Sequence, residues 1–262
     1  MNWELELPQR LTTAWIGRTH RHFELCGSTN DELARASDEG APEGSLVTAD
    51  AQSSGRGRLG RVWHSPAGTN LYFSLLLRPT LPPSSLPPLT LLSGAVLAES
   101  LGDFGVGCRL KWPNDLVLPT PSGFKKAAGI LTEMATFENR IRHLVIGVGV
   151  NVGLRTFPVE LADIATSVAQ IAGDAAPTRL ELLAAFLNRF ETAYETFTRE
   201  GPPMAIAAFR SFAWLGQPCR VERGGAYLFG NAVDVDATGA LLIEDESGKR
   251  HAVLSGEVVT KL

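Results

Sequence analysis

The sequence predicts an α/β fold of the α+β type, in which a mixed core sheet is followed by a small all-β domain. Two observations support this prediction: helices and strands alternate up to about residue 214, and short strands separated by glycine follow from Gly216 onward. With 262 residues, of which 44% are hydrophobic, the chain can bury one large core and a smaller second one. We therefore expect one domain over residues 1–214 and another over residues 215–262.

The first part of the chain supplies the core sheet and the helices that cover it. Ser28 or Asn30 can cap the first helix, which stops at Gly40, and a proline-rich link over 79–88 precedes an apolar helix. In the longest helix, apolar residues repeat at spacings of four and three, which indicates a buried stripe. The predicted strands are 23–25, 45–50, 70–77, 108–111, 116–118, 128–133 and 143–150, and the predicted helices are 28–37, 89–101, 179–199 and 204–212.

The two ends of the chain differ from this pattern. Residues 2–19, with Trp3 and Trp15, are predicted to form a short cover or a leading helix. Short alternating strands joined by tight turns at the other end are typical of a small β-barrel of the SH3-like type. These strands are predicted over 219–222, 227–235, 240–244 and 251–254, with turns at Gly224, Gly225, Gly239 and Gly248.

Composition and charge exclude several classes of protein. The longest apolar runs, 89–98 and 144–150, are far shorter than the roughly 20 residues that a membrane helix needs, and no secretory signal begins the sequence. The cysteines, Cys26, Cys108 and Cys219, are widely spaced and odd in number, so we expect neither a disulfide framework nor a CxxC metal site. These features predict a soluble protein of the reducing cytoplasm.

A cationic segment lies in this acidic chain, whose formal net charge is −4. Residues 55–61, the Gly/Arg loop, read Gly-Arg-Gly-Arg-Leu-Gly-Arg, and neither Asp nor Glu occurs over 51–98. Glycine permits close approach of the backbone to a ligand, and arginine offers a planar fork that matches carboxylate and phosphate oxygens. In isolation such a segment is most simply a solvated turn. Together with the motifs below, it predicts a loop that holds an anion.

A dinucleotide-binding fold is the first alternative for this loop. Gly55, Gly57 and Gly60 satisfy Gly-x-Gly-x-x-Gly, but a true fingerprint opens a helix and is followed about 20 residues later by an acid that binds ribose. Residues 62–70 contain Trp, Ser, Pro and Gly, and no acid is available in this stretch. We therefore set the dinucleotide interpretation aside. The glycines at 147, 149 and 153 have the wrong spacing and are expected to let a strand end pass close to something flat.

Further polar clusters give the loop its context. Each has a simple structural explanation alone: Ser28 as a helix cap, Lys111 as a strand-edge charge, Asp115 as a turn former and Lys126 as a solvated residue. Together and in order, they resemble the biotin protein ligase family from about residue 28 to residue 256. The motifs are Ser28-Thr29-Asn30, Gln52, Gly-Arg-Gly-Arg-x-Gly-Arg-x-Trp from Gly55 to Trp63, Lys111-Trp112-Pro113-Asn114-Asp115 and Lys-x-Ala-Gly-Ile-Leu from Lys126 to Leu131.

The resemblance implies a class II synthetase-like catalytic domain with a C-terminal SH3-like barrel. It also implies the substrates biotin and ATP, with Mg²⁺, and a ligase that transfers biotin to a lysine of a carrier protein. The positions that match the biotin and biotinyl-adenylate site are Ser28, Thr29, Asn30, Gln52, Arg56, Gly57, Arg58 and Lys126, with Gly55 and Gly129 of the same motifs, and those near adenine and ribose-phosphate are Trp63, Asn114 and Asn151.

The implied reaction first joins the biotin carboxylate to the α-phosphorus of ATP and then passes the acyl group to a lysine amine. Both steps build up negative charge, which fixed cations stabilise. Arg58 and Lys126 are the predicted partners of that charge, and Lys111 is expected to assist. Asp115 has two available roles, binding Mg²⁺ or accepting a proton from the incoming amine, and the sequence does not choose between them.

The expected partner is the biotin carrier domain of a biotin-dependent carboxylase. The 27 residues before Ser28 are too few for the DNA-binding domain of some members, so we expect a form without it, and no membrane partner. A homodimer is compatible with the resemblance, but the sequence does not give the oligomeric state. One rival is a lipoate or octanoate ligase or transferase of the same fold, and the other is a non-enzymatic nucleic-acid binder that would hold phosphates with the Gly/Arg loop.

Overall fold

The larger of two sheets is mixed, as predicted. A computed structural model describes residues 2–138, 140–223, 226–256 and 258–259. The larger sheet contains β1 (His20–Cys26), β2 (Leu46–Gln52), β3 (Leu71–Leu77), β4 (Arg109–Lys111), β5 (Asp115–Thr120), β6 (Gly123–Phe137) and β7 (Arg140–Val150). Its strand order is β1-β2-β3-β7-β6-β5-β4. Only the β1–β2 pair is parallel among the described pairings, because a helix crosses over between these two strands.

Helices cover both faces of this sheet. Those within the described residues are α1 (Trp3–Arg10), α2 (Thr29–Asp38), α3 (Pro88–Gly102), α4 (Val159–Ala162), α5 (Val168–Ala172), α6 (Arg179–Glu200) and α7 (Pro202–Phe212). Side chains alternate between the faces of a strand, so Leu75 and Leu77 of β3 enter the main core while Leu76 packs with Leu33 of α2 on the other face. No helix in the described parts of the chain is long and apolar enough to span a membrane.

The apolar stripe of α6 is buried, which confirms its assignment to the core. Its residues belong to the same buried cluster as the apolar residues of α3 and α7. The N-terminal segment contributes α1, whose Trp3 is buried and stacks on His22 with ring centroids 5.3 Å apart. The leading-helix prediction is therefore confirmed for residues 3–10. The stripe of α6 consists of Leu183, Leu187, Phe190, Tyr194 and Phe197.

Several strands extend further than predicted, and β1 and β6 do so most. β1 begins at His20, because the imidazoles of His20 and His22 both lie 2.8 Å from the Thr48 hydroxyl on β2 and so find a polar partner inside the sheet. β6 runs from Gly123 to Phe137 because its first part pairs with β5 over residues 123–129 and its second part pairs with β7 over residues 128–137, which draws polar residues at both ends into the sheet. Short elements such as α4 and α5 were not predicted.

The smaller sheet is antiparallel and lies at the end of the chain. It contains β8 (Pro218–Arg223), β9 (Ala226–Val235), β10 (Leu241–Glu244), β11 (Arg250–Val253) and β12 (Val258–Val259), in the order β11-β10-β9-β8-β12. Gly239 and Gly248 make the predicted turns with φ values of 84° and 81°. The predicted turn glycines 224 and 225 lie outside the described residues. The pairings that the structure describes leave the sheet open between its two edge strands.

Glu191 of α6 attaches the segment before β1 to the main core. Its carboxylate oxygens accept backbone N–H bonds from Ala14 at 2.6 Å and from Trp15 and Ile16 at 2.9 Å each. Burial raises the pKa of Glu191, but these three donors outweigh burial and hold the pKa below its usual range. Because the pKa is lower in the folded state, the ionised carboxylate stabilises the fold above its ordinary pKa, and this contribution is lost as the pH falls through the folded value.

We predict that Glu191→Gln lowers the free energy of unfolding by about 2 kcal/mol at neutral pH, because an amide offers one acceptor oxygen to three donors. Urea unfolding followed by tryptophan fluorescence measures this difference. Glu200→Gln at the exposed end of the same helix is the control, with an expected change of under about 0.5 kcal/mol. The difference between wild type and Glu191→Gln should shrink below the ordinary glutamate pKa of about 4.3. A pH-independent difference would contradict this account.

Candidate active site

A cavity of about 720 Å³ opens between the larger sheet, the Gly/Arg loop and the two ends of the smaller sheet, just before β8 and at β12. Gly55 lies behind the lining, where a Cβ atom would come within 2.6 Å of Ser65 Oγ at the base of the loop. The other residues that the sequence predicted for the site all line this cavity. They are Ser28, Thr29, Asn30, Gln52, Arg56, Gly57, Arg58, Trp63, Lys111, Asn114, Asp115, Lys126, Gly129 and Asn151.

The polar floor of the cavity consists of the Ser28-Thr29-Asn30 segment and Gln52. Ser28 occupies the N-cap position of α2, but its hydroxyl makes no capping hydrogen bond, so the simple cap explanation fails for this side chain. Gln52 Oε1 at the end of β2 accepts the backbone N–H of Thr29 at 2.9 Å and lies 3.2 Å from its hydroxyl. The floor thus presents hydroxyl and amide groups in fixed positions.

Glycines on β6 and β7 allow side chains to lie directly against the sheet. A Cβ atom at Gly149 would come within 2.6 Å of the Trp63 indole, and one at Gly147 would lie 2.1 Å from Asn30 Oδ1. The flat group expected beside these glycines is therefore the indole of Trp63. Its Nε1 is buried without a hydrogen-bond partner in the structure. A Cβ atom at Gly57 would make only ordinary contacts, so sterics do not require glycine there.

Cations and carboxylates meet on the opposite wall. Lys126 Nζ lies 2.6 Å from Asp115 Oδ1, because β5 and β6 are neighbours, and 5.2 Å from the ring centre of Trp63. Arg58 Nη1 donates to Asn114 Oδ1 at 3.4 Å, so the loop reaches across to this wall. The lining holds five Lys or Arg residues but only two Asp residues among those described, which makes the cavity a favourable place for an anion in a chain of net charge −4. Lys111 also lies on this wall. It stands opposite Asp115 in the antiparallel register of β4 and β5.

Asn151 is held by the protein on both sides of its amide. Its Oδ1 accepts from Asn70 Nδ2 at 3.3 Å, and its Nδ2 donates to the Thr166 carbonyl at 3.1 Å. Asn70 Oδ1 in turn accepts the backbone N–H of Val152 at 3.1 Å. These bonds tie the end of β7 to the segment before α5, and Asn70 is a partner that the sequence did not indicate.

Residues that support the lining of the cavity also escaped the sequence analysis. Glu133 of β6 contacts Asn30 and Arg56, and Ser74 of β3 contacts Thr29 and Asn30. Glu133 lies four residues beyond Gly129 in the same strand, but nothing in its local pattern distinguishes it from a solvated strand residue. The segment over 157–165 also lines the cavity.

The donor set near Asp115 fits Mg²⁺ that is bound mainly by phosphates. No three His, Cys, Asp or Glu side chains come together as a metal site in the described part of the chain. Mg²⁺ commonly uses one or two protein carboxylates and completes its shell with phosphate oxygens and water. Asp115, one-quarter exposed, can supply such a carboxylate, although its pair with Lys126 must open for this.

Comparison with known proteins agrees with this geometry. Residues 23–151 match the biotin/lipoate A/B protein ligase family, and residues 214–260 match the biotin protein ligase C-terminal domain. A bifunctional ligase/repressor BirA from Bacillus subtilis (strain 168) is 36% identical over 249 residues, which are 94% of this chain and 75% of that protein. A biotin--[acetyl-CoA-carboxylase] ligase from Mycobacterium tuberculosis (strain ATCC 25618 / H37Rv) is 32% identical, over 89% of this chain and 85% of that one.

The chain belongs to the biotin protein ligase family. A solved structure of the biotin protein ligase from Aquifex aeolicus in complex with biotin and ATP superposes with a TM-score of 0.79 at 30% identity, covering 92% of this chain and 98% of that one. These findings confirm the resemblance and the fold class, and they identify the chain as a ligase of this family. The interpretation as a non-enzymatic nucleic-acid binder is thereby displaced.

We predict that Gly147→Ala lowers the free energy of unfolding by more than about 2 kcal/mol, because its methyl group would overlap the buried Asn30 amide. Gly107→Ala is the matched control, since a Cβ atom there meets nothing within 4 Å and the backbone is not left-handed. The double variant Gly147→Ala/Asn30→Ala removes the overlap, so urea unfolding should show it to be less destabilised than the sum of the two single variants. Additive losses would show that Asn30 is not the obstacle.

Proposed function

We propose that this chain activates biotin with ATP to form biotinyl-5'-AMP, with release of pyrophosphate, and transfers the biotinyl group to a lysine of a biotin carrier domain. The supporting observation is one cavity that combines a polar floor with a cationic wall beneath an arginine loop. Its volume of about 720 Å³ lies in the range of cavities that hold small-molecule ligands, which suits a vitamin joined to a nucleotide. The proposed reaction needs one chain and one carrier, with neither DNA nor a second copy of the chain.

The polar floor is suited to the fused rings of biotin. These rings are neutral and carry one urea carbonyl with two N–H groups, so their recognition needs both donors and acceptors in fixed places. The hydroxyls of Ser28 and Thr29 and the amide of Gln52 supply them, and the backbone bond from Thr29 holds Gln52 in place. The Trp63 indole, packed against Gly149, offers a flat face to the adenine ring, as the resemblance implies for this position.

Activation takes place at the cationic wall. A biotin carboxylate oxygen attacks the α-phosphorus of ATP, the bond to the β-phosphate oxygen breaks, and pyrophosphate leaves with its electron pair. Arg58 and Lys126 oppose the charge that builds up on the α-phosphate, with Lys111 nearby on β4. Asn114 holds Arg58 at 3.4 Å and so helps to keep the guanidinium over the reacting groups.

Transfer requires a neutral lysine amine from the carrier. Asp115 is the carboxylate on the wall that can accept a hydrogen bond from this amine and take its proton as the acyl bond to AMP breaks. No side chain of the ligase has to form a covalent bond to biotin. The thiols support this, because burial raises the pKa of Cys26 to about 11 and that of Cys108 to about 12 and also raises that of Cys219, which disfavours thiolates at neutral pH.

We predict biotin-dependent exchange of labelled pyrophosphate into ATP, with lipoate as the control acid. Lys126→Ala should reduce this exchange by at least about a hundredfold, because it removes a fixed cation from the developing charge. Lys125→Ala is the matched control, since the adjacent lysine points away and donates to the Ala162 carbonyl at 2.7 Å. Exchange with lipoate alone would assign the chain to the rival acyl ligase, and exchange with neither acid would refute the proposed function.

We also predict that Arg58→Gly releases biotinyl-adenylate prematurely. Without this guanidinium over the adenylate, activated biotin should escape and label lysines of a bystander protein such as serum albumin. Western blotting for biotin on carrier and bystander measures the ratio of the two. Lys126→Ala, defective in activation, should label neither protein. An Arg58→Gly variant that labels only the carrier would show that another residue retains the adenylate.

A further inference from the structure

Glu133 of β6 joins two parts of the cavity through one carboxylate oxygen. Its Oε2 accepts a hydrogen bond from Asn30 Nδ2 at 2.6 Å and another from Arg56 Nη2 at 2.8 Å. Asn30 belongs to the polar floor and Arg56 to the Gly/Arg loop, so this oxygen links the floor to the loop. Arg56 has a second acidic partner, Asp31, at 2.6 Å. The loop is therefore anchored by two carboxylates beside the start of α2.

The same carboxylate fixes the orientation of the Asn30 amide. A carboxylate can only accept hydrogen bonds, so Asn30 turns its NH₂ group toward Glu133 and its Oδ1 toward Ser74, whose hydroxyl oxygen lies 2.5 Å away. Asn30 and Ser74 are both buried, where a misdirected amide would leave polar groups unpaired. The Leu131 carbonyl also accepts from Asn30 Nδ2, but at 3.4 Å, so the much shorter bond to Glu133 is the main support of this orientation.

The orientation of Asn30 in turn decides where the Ser74 proton lies. Ser74 has one hydroxyl proton, which can reach Thr29 Oγ1 at 2.8 Å or Asn30 Oδ1 at 2.5 Å, and the shorter contact is the one to Asn30. Thr29 Oγ1 donates its own proton to Gln52 Oε1 at 3.2 Å, beside the backbone N–H of Thr29 at 2.9 Å. Because Asn30 draws the Ser74 proton away, the lone pairs of the Thr29 hydroxyl are left to accept from a ligand in the cavity.

We propose that Glu133 is a positioning residue with two roles. It orients the polar floor so that this floor can accept a urea N–H, and it holds the Gly/Arg loop beside the cavity. Through Asn30 and Ser74 it makes the Thr29 hydroxyl an acceptor, and through Arg56 it draws the Gly/Arg loop over the site. Recognition of the biotin ring and the position of the Gly/Arg loop therefore both depend on the carboxylate of Glu133. This inference rests on the proposed function, because the cyclic urea of biotin is the group that needs such an acceptor.

Two substitutions separate the two effects of Glu133. Glu133→Ala removes both, whereas Glu133→Gln keeps an acceptor oxygen for Asn30 but loses the charge that pairs with Arg56. In pyrophosphate exchange, Glu133→Ala should raise KM for biotin by about tenfold, the effect of one misdirected buried hydrogen bond, with KM for ATP changed by less than about twofold. Glu133→Gln should raise KM for biotin by less than about threefold. Glu138→Ala, at the exposed turn after the same strand, is the control and should leave both constants unchanged.

Trypsin cleavage of the ligand-free protein tests the hold on the loop independently of catalysis. The loop contains the trypsin sites Arg56, Arg58 and Arg61, and both Glu133 variants should be cut there several-fold faster than wild type and Glu138→Ala. Loop cleavage at the wild-type rate in both variants would overturn the proposal. So would a Glu133→Ala variant that raises KM for biotin and for ATP alike, which is the mark of a general structural defect. If wild type shows no biotin-dependent exchange, the proposed function fails, while the trypsin comparison still decides whether Glu133 holds the loop.

Discussion

Gly147 and Gly149 of β7 let two side chains occupy space that any other residue would fill, and the cavity is built on that close approach. Asn30 lies against Gly147 and Trp63 against Gly149, so α2 and the end of the Gly/Arg loop both sit directly on the central strand of the sheet. The sheet can tolerate glycine here because β7 is paired on both sides, with β3 and β6, and its neighbouring residues Ile146 and Val148 are buried in the main core. Through these two glycines, β7 positions both Asn30 of the polar floor and the Trp63 indole in one cavity.

The charges around the cavity follow a consistent arrangement. Arg56 is held at the rim by Asp31 and Glu133, whereas Lys126 on the inner wall is paired with Asp115. An incoming anion can compete for the pair on the inner wall at little cost, because both partners remain partly exposed and such pairs contribute little to stability. The rim pairs are also exposed, but they form a network, because Arg56 has two carboxylate partners and Glu133 also accepts from Asn30, and this network keeps the loop near the cavity. The same kind of interaction thus serves attachment in one place and ligand exchange in the other.

The sequence predicted the parts of this protein that are determined locally. Alternation and turn glycines located the strands, and a repeated spacing located α6, because these signals reflect neighbouring residues. The site residues were found because several short motifs occur together, although the roles assigned to them stay predictions. Glu133, Ser74 and Asn70 were missed because their partners come from distant parts of the chain: Glu133 and Asn30, for example, are separated by 103 positions. Likewise, the full length of β6 depends on its pairing with β5 at one end and with β7 at the other, which no local pattern encodes.

The Gly/Arg loop has a base fixed by backbone hydrogen bonds and a tip at Leu59. Backbone bonds from Trp63 to Gly55 at 2.8 Å and from Gly57 to Arg61 at 2.7 Å shape it as a narrow hairpin. At the tip, Leu59 adopts a left-handed conformation with φ of 57°, which costs a leucine roughly 1–2 kcal/mol, and its side chain remains 75% exposed. Arg58 beside it donates to Asn114 Oδ1 at 3.4 Å and to the Gly256 carbonyl at 3.5 Å, so hydrogen bonds of the arginine, and not burial of the leucine, hold the tip against the opposite wall.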